Sequence, residues 1–382
     1  MESTLTRTTA SIVQRDRYDE LDQLPTPALV IRAPVVRTNL KRLADYAAQH
    51  GISVRPHTKT HKSLEMGRLQ LQYGARGLSV AKAGEAVVMA EATGDILVAY
   101  PCLDPVRGQI LAKLARTYDI KLAVDSGYAV ENLAAAARAA GSTLGILVDM
   151  DVGMGRTGLQ TPQLALELAQ LVERTDGVRL AGLFIYPGHI KCKIDQQTEP
   201  LRAVNAKVEE ALALWEKSGL RADIVSGGST PTAYQSHVVR KLTETRPGTY
   251  IYNDMNIVKG GYCTLDDCAA RFVCTVVSTA VPNQFVIDAG SKTLTSDRCG
   301  PDPDSGHGYV VEYPQAKIKA LTEEHGQVDV SMCSERPKLG ERVTVIPNHI
   351  CPCVNLQDNL WIQDESQGSF RQLNISARGL LT

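Results

Sequence analysis

Ile120-Lys-Leu-Ala-Val-Asp-Ser-Gly-Tyr-Ala-Val-Glu-Asn-Leu-Ala-Ala-Ala-Ala-Arg-Ala-Ala-Gly-Ser-Thr-Leu-Gly-Ile-Leu-Val148 contains a strand, a helix and the next strand. The short apolar runs Ile120–Val124 and Leu144–Val148 flank an Ala/Leu-rich stretch, Val130–Ala140, whose apolar side chains recur three or four residues apart. Strand, helix and strand in that order predict parallel pairing. Working outward, runs of the same texture stand at Ala28–Arg32, Ile52–Arg55, Gly77–Ala81, Asp95–Tyr100, Leu180–Tyr186 and Ala222–Ser226, with helical patterns between them. Eight such units at roughly even spacing predict an α/β fold, a (β/α)8 barrel of TIM type, with an open doubly wound sheet as the alternative.

After about residue 265 the texture changes to strand patterns and turns: Val273–Ser278, Phe285–Asp288, Tyr309–Tyr313, Val328–Val330 and Val343–Ile346. The expected organisation is a polar arm over 1–25, free or docked on the β domain, a barrel over 26–262 and a C-terminal all-β domain over 263–382. The 382 residues carry 41 Lys+Arg against 42 Asp+Glu, a net charge of -1, which removes the electrostatic footprint of a general nucleic-acid binder. No apolar stretch approaches the ~20 residues of a membrane span, and the start is too polar for a secretory signal. The expectation is a cytoplasmic protein with no nucleic-acid or membrane partner. Nine scattered cysteines, mostly inside apolar runs, suit reduced core thiols better than a disulfide framework.

Three motifs carry chemistry. Arg55-Pro-His-Thr-Lys-Thr-His-Lys62 follows a strand, so Lys59 projects at the C-terminal face where barrel ligands bind. A lysine desolvated there can form a Schiff base; the alternative is a solvated basic loop. Ser226-Gly-Gly-Ser-Thr-Pro-Thr232 follows the last run, where Gly227 and Gly228 let backbone N–H groups approach an anion and Ser229 and Thr230 add hydroxyls. An amine and a phosphate cup in one barrel mouth point to pyridoxal phosphate. On the same face, Asp149-Met-Asp-Val-Gly-Met-Gly-Arg156 offers Arg156 to a pyridine nitrogen, or else to a pairing with Asp149 or Asp151. Tyr186-Pro-Gly-His189 offers a ring and an imidazole, although Tyr186 serves barrel packing equally well.

The third motif is Pro347-Asn-His-Ile-Cys-Pro-Cys-Val-Asn355. In an extended segment residues i and i+2 share a side, so His349 and Cys351 could hold one divalent metal, with Cys353 on that side as a third ligand unless Pro352 turns it away. Imidazole with thiolate favours zinc over cobalt or manganese, and two protein ligands leave positions open for substrate. The alternative is a buried histidine beside two core cysteines. His325 is a further candidate, or a surface turn.

Together these motifs resemble the fold-type III pyridoxal-phosphate enzymes of the D-threonine aldolase and D-serine dehydratase family, from Leu24-Pro-Thr-Pro-Ala28 to Ile375-Ser-Ala-Arg-Gly379. The most specific pieces are the Lys59 motif, Asp151-Val-Gly-Met-Gly-Arg-Thr-Gly158, Val286-Ile-Asp-Ala-Gly-Ser-Lys292, Glu324-His-Gly326 and Pro347-Asn-His-Ile-Cys-Pro352. The resemblance implies an alanine-racemase-like barrel with a β domain, a homodimer, pyridoxal 5'-phosphate on Lys59, and Arg156 facing its ring. It also implies Gly227 to Thr230 at the phosphate and His349 with Cys351 on a divalent metal, zinc, manganese, cobalt or magnesium. Tyr186 and Tyr250 are further candidates for cofactor binding, and His189 and His325 for catalysis. The implied substrate is a D-3-hydroxy amino acid.

Two departures bear on the reaction. Cys351 stands where aldolases of the group often carry Asp and dehydratases more often Cys, and residues 186–189 read Tyr-Pro-Gly-His where many aldolases have Tyr-His-Gly-Ser. The flanking Pro352, Val354-Asn-Leu356 and Asp358 match the aldolase pattern, so aldol cleavage leads narrowly. Dehydration of D-serine or D-3-hydroxyaspartate follows, and racemisation, which needs no metal, comes third. A non-catalytic pyridoxal-phosphate carrier is the rival from another class; such carriers resemble the barrel alone.

Overall fold

The computed structural model describes residues 17–18, 21–300, 302, 304–364 and 369–382. Eight parallel strands form the barrel: Ser53–Val54, Leu78–Val80, Asp95–Val98, Asp119–Val124, Leu144–Asp149, Val178–Phe184, Ile224–Gly227 and Glu244–Thr245. Glu244–Thr245 pairs with both Ile224–Gly227 and Ser53–Val54, and a parallel bridge from His57 to Ser79 closes the ring.

The unit Ile120–Val148 shows why these elements form. Ser126 caps the helix Gly127–Ala140 by accepting from the Ala129 N–H at 3.3 Å, and Gly141, at φ +64°, ends it in the left-handed region that glycine tolerates. Its buried face, Ala129, Val130, Leu133, Ala134 and Ala137, packs on the outward side chains Ile120, Leu122, Val124, Ile146 and Val148. Full burial of a leucine such as Leu133 contributes about 2 kcal/mol.

Alternate residues point into the barrel. Leu97, Ala123, Leu147, Ala181, Phe184 and Ile224 form one apolar cluster there, while Arg55, Glu244, Asp95 and Lys121 form a buried ionic one.

A second sheet contains ten strands among the described residues. It includes four of the expected runs as Ala270–Ser278, Gln284–Ile287, Gly326–Asp329 and Arg342–Ile346, and shortens the run at 309–313 to Tyr309–Val310. One expectation is corrected here. Ala28–Arg32 is no barrel strand; it lies in this second sheet, antiparallel to Ala270–Val273 and parallel to Trp361–Gln363. The last barrel strand is instead Glu244–Thr245, two polar residues without an apolar run to betray them. The Lys59 motif therefore follows the first barrel strand, and the Gly-Gly-Ser-Thr turn the seventh.

Of the expected arm, Arg17–Tyr18 pairs antiparallel with the strand Ser369–Asn374; residues 1–16 and 19–20 lie outside the described residues. No described helix is long and apolar enough to cross a membrane.

Candidate active site

A cavity of about 450 Å3 opens at the C-terminal ends of the barrel strands, a size suited to a small cofactor with substrate. Its lining continues the inward alternation two residues further along each strand: His57 after Arg55, Ala99 after Leu97, Asp149 after Leu147, Arg246 after Glu244. Lys59 lines it from the turn Thr58–Thr60, where the Lys59 N–H donates to Nδ1 of His57 at 3.4 Å. Burial, then the charges of Lys59 and Arg246, hold the His57 imidazole well below its ordinary pKa, which favours its neutral form. Lys62 is turned away, in a buried ion pair with Glu85 at 3.0 Å.

Arg156 and Tyr186 both line the cavity, the guanidinium 4.7 Å from the ring centroid. Arg156 pairs with neither aspartate considered for it. Asp149 accepts from the Thr157 hydroxyl at 2.8 Å, and Asp151 accepts from the N–H groups of Gly153, Met154 and Gly155. Burial lifts the Asp149 carboxyl to about 6.

The Gly-Gly-Ser-Thr turn adjoins the cavity through Arg246, whose N–H donates to the Gly227 carbonyl at 2.7 Å. Gly228 sits at φ +84°, and a Cβ there would lie 2.1 Å from Oγ1 of Thr245. Ser229 and Thr232 bond one another, whereas the N–H groups of Gly228 and Thr230 have no protein acceptor among the described residues. An amine in the cavity and unpaired N–H donors at its edge fit an aldehyde and a phosphate on one cofactor.

Beyond the Gly-Gly-Ser-Thr turn, three further residues expected at the cofactor or in catalysis stand away from the cavity lining. His189 is exposed and lies against Gly153. His325 is exposed in the turn between Lys317–Leu321 and Gly326–Asp329, its carbonyl accepting from the Thr322 N–H. Tyr250 is buried, with its hydroxyl accepting from Gln70 at 3.3 Å. Among the lining residues that escaped sequence reasoning are His57, Asp149 in this role, and Arg246. The period of two along each strand points to all three, to Arg246 only once the eighth strand is recognised.

His349 and Cys351 come together, although not on an extended segment. Ile350–Leu356 is a helix with His349 at its N-cap. That corrects the expectation for Cys353: two residues along a helix is about 200° around it, and the Cys353 thiol is fully buried against the carbonyls of Leu294 and His349. Burial opposes charge on His349, yet Cys351, Asp254 and Asp297 outweigh it and lift the imidazole to about 9. Burial likewise opposes the Cys351 thiolate, but His349 and Thr60 outweigh it and hold the thiol below its usual pKa. Nδ1 of His349 lies 2.9 Å from the Asp297 carboxylate, the partner that orients a metal-ligating imidazole. An imidazole and a readily ionised thiol suit a divalent ion; no third His, Cys, Asp or Glu joins them among the described residues.

Residues 31–256 match the alanine racemase N-terminal domain family, and residues 269–362 the serine dehydratase domain family. The chain is 31% identical to a D-threonine aldolase from an Arthrobacter species over 373 residues, 94% of each chain. Its fold is similar to that of D-threonine aldolase from Filomicrobium marinum, at TM-score 0.86 and 27% identity, covering 95% of this chain and 98% of that one. It is equally similar to D-threo-3-hydroxyaspartate dehydratase from a Delftia species, at TM-score 0.86 and 27% identity over 94% and 99% of the two chains. The barrel, the lysine in its mouth and the sheet that carries His349 thus identify the chain as a member of the fold-type III pyridoxal-phosphate family, a lyase of the D-threonine aldolase and D-serine dehydratase type.

Proposed function

We propose that this chain acts on D-3-hydroxy amino acids and cleaves the Cα–Cβ bond of D-threonine-like substrates, releasing glycine and an aldehyde. One observation carries the reading: the His349–Cys351 pair abuts Thr60, the neighbour of Lys59, with Sγ to Oγ1 at 3.2 Å. Potential metal ligands beside the reactive lysine suit a substrate with an oxygen on Cβ. Pyridoxal phosphate would supply an electron sink for bonds at Cα, and a divalent ion on His349 and Cys351 a Lewis acid for the β-hydroxyl.

The protein's own groups do the rest. Lys59 would hold the cofactor through its Nζ, and when free of it would hold or move a proton at that atom. Arg156 over Tyr186 would face the ring, and the N–H groups of Gly228 and Thr230 would take the phosphate. Asp297 would orient His349. In the cleavage the β-hydroxyl loses its proton, the Cα–Cβ bond breaks, and Cα gains a proton. The preference for aldol cleavage rests on the similarity to the Arthrobacter aldolase. Cys351 favours the second reading, dehydration of D-serine or D-3-hydroxyaspartate to a 2-oxo acid and ammonia.

Incubation with D-threonine, D-serine and D-3-hydroxyaspartate separates the two. Glycine with aldehyde supports cleavage; 2-oxo acid with ammonia replaces it by dehydration.

A further inference from the structure

A chain of polar side chains runs through the barrel interior to the cavity. At its outer end Asp119 pairs with Arg179 at 2.6 Å and with Lys121. Lys121 also donates to Asp95 at 2.7 Å, and Asp95 receives Nη1 and Nη2 of Arg55 at 2.6 and 3.0 Å. Nε of Arg55 donates to both oxygens of Glu244, at 2.8 and 2.9 Å. The Ser226 hydroxyl donates to Glu244 at 2.5 Å and accepts from Nη1 of Arg246 at 2.7 Å. Nη2 of Arg246 donates to the Ile185 carbonyl at 2.7 Å, and the guanidinium lies 3.7 Å over the Phe184 ring. Arg55, Glu244 and Ser226 are fully buried.

Barrel interiors are ordinarily filled by branched apolar side chains, and burying ions instead costs desolvation. The arrangement here has a direction. Ser226 has one hydrogen and commits it to Glu244, so only its lone pairs face Arg246. Charges alternate in sign along the chain, and it ends at the cavity on a cation whose nearest carboxylate within the chain is one hydroxyl away. The remaining side-chain N–H groups of Arg246 have no acceptor among the described residues and are available to an occupant of the cavity.

We propose that Glu244 is a positioning residue: through Ser226 it holds the Arg246 guanidinium at the cavity wall for bound pyridoxal phosphate, and Arg55, donating to both of its oxygens, fixes Glu244 in place for that task. The proposal rests on pyridoxal phosphate occupying this cavity, which its uptake by the unaltered apoprotein checks separately.

The test compares apoproteins of the unaltered chain, Ser226→Ala, Arg246→Lys and the double variant. It reads equilibrium affinity for pyridoxal phosphate, the visible absorption band after uptake, and KM against kcat. Ser226→Ala cuts the link while leaving Arg55 on Glu244. We expect it to weaken affinity roughly tenfold and displace the absorption band, with little further loss in the double variant. Asp119→Asn, at the exposed outer end, should leave affinity within about twofold. Glu244→Gln should reproduce Ser226→Ala; should it fail to fold, Ser226→Ala carries the test. An unchanged affinity and band in Ser226→Ala, or losses that add in the double variant, overturn the positioning role. Failure of the unaltered apoprotein to take up the cofactor overturns the cofactor reading and the proposal with it.

Discussion

The Cys351 sulfur lies 3.2 Å from the Thr60 hydroxyl, so the C-terminal sheet presents its candidate metal pair one residue along from the candidate cofactor lysine. The contact joins two segments 291 positions apart in the chain, and through it the β domain completes the site. A metal on His349 and Cys351 and a cofactor on Lys59 would thus rest on different protein groups, so that each could be removed without the other.

Exhaustive chelation should abolish turnover while the visible absorption of the lysine-bound cofactor persists, because the ion would touch substrate rather than the ring. Cys351→Asp should keep a metal but shift preference from zinc toward manganese or magnesium, carboxylate being the harder ligand. If cysteine biases the reaction toward dehydration, the same change raises the ratio of glycine to 2-oxo acid. Full activity in a protein that elemental analysis finds metal-free would remove the metal from the mechanism.

Borohydride reduction should fix the cofactor on Lys59. Lys62, three residues on, is held in its buried pair with Glu85 and cannot reach the cavity without leaving a carboxylate unpaired, a change that costs about 3–5 kcal/mol. Peptide mapping that recovers the label on Lys62 or Lys292 would refute the assignment.

Arg156→Glu should lower kcat sharply with a stability change under about 0.5 kcal/mol, since Arg156 is exposed and pairs with neither Asp149 nor Asp151. A fall in Tm that tracks the lost activity would instead give Arg156 a structural role.

Asp149 makes apoprotein stability depend on pH. Its folded pKa, about 6, lies above the ~3.9 of an unfolded aspartate, so the folded state binds the proton more tightly. The group's contribution is fully present below about pH 4, falls as pH rises, and is lost above about pH 6. Asp149→Asn should therefore gain stability relative to the unaltered apoprotein across that window, by up to about 2–3 kcal/mol. A Tm difference that stays flat from about pH 4.5 to 7.5 would contradict the assignment.

Much of the fold was legible because parallel barrel strands are buried on both faces and read as apolar runs. The same signal misled at Ala28-Leu-Val-Ile-Arg32, whose apolar pattern fits an antiparallel sheet as well as a barrel; composition does not reveal which neighbour a strand chooses. Glu244–Thr245 went unread because its inward residue is a carboxylate neutralised by Arg55, a pairing made across 189 positions of chain. Lys59, Arg156 and Tyr186 were legible since loops after strands face the cavity. Arg246 was hidden with its strand. For His349 and Cys351 the pairing emerged although the local geometry did not: an N-cap followed by a helical turn brings them together, and the same turn carries Cys353 into the core.

Ala28–Arg32 sits between Ala270–Val273 and Trp361–Gln363, so the entire barrel is threaded between one strand of the second sheet and its neighbours. A chain emerging from its N-terminus completes the barrel segments while that first strand still lacks both partners. Loop closure over such a span is slow, and domains form as units during synthesis. This order favours a barrel that closes first around its lysine and a sheet that seals last, delivering His349 and Cys351 to a site already half built. A ribosome-stalled chain whose emerged part ends before Ala270 should accordingly contain a protease-resistant barrel and a strand Ala28–Arg32 unpaired on both edges.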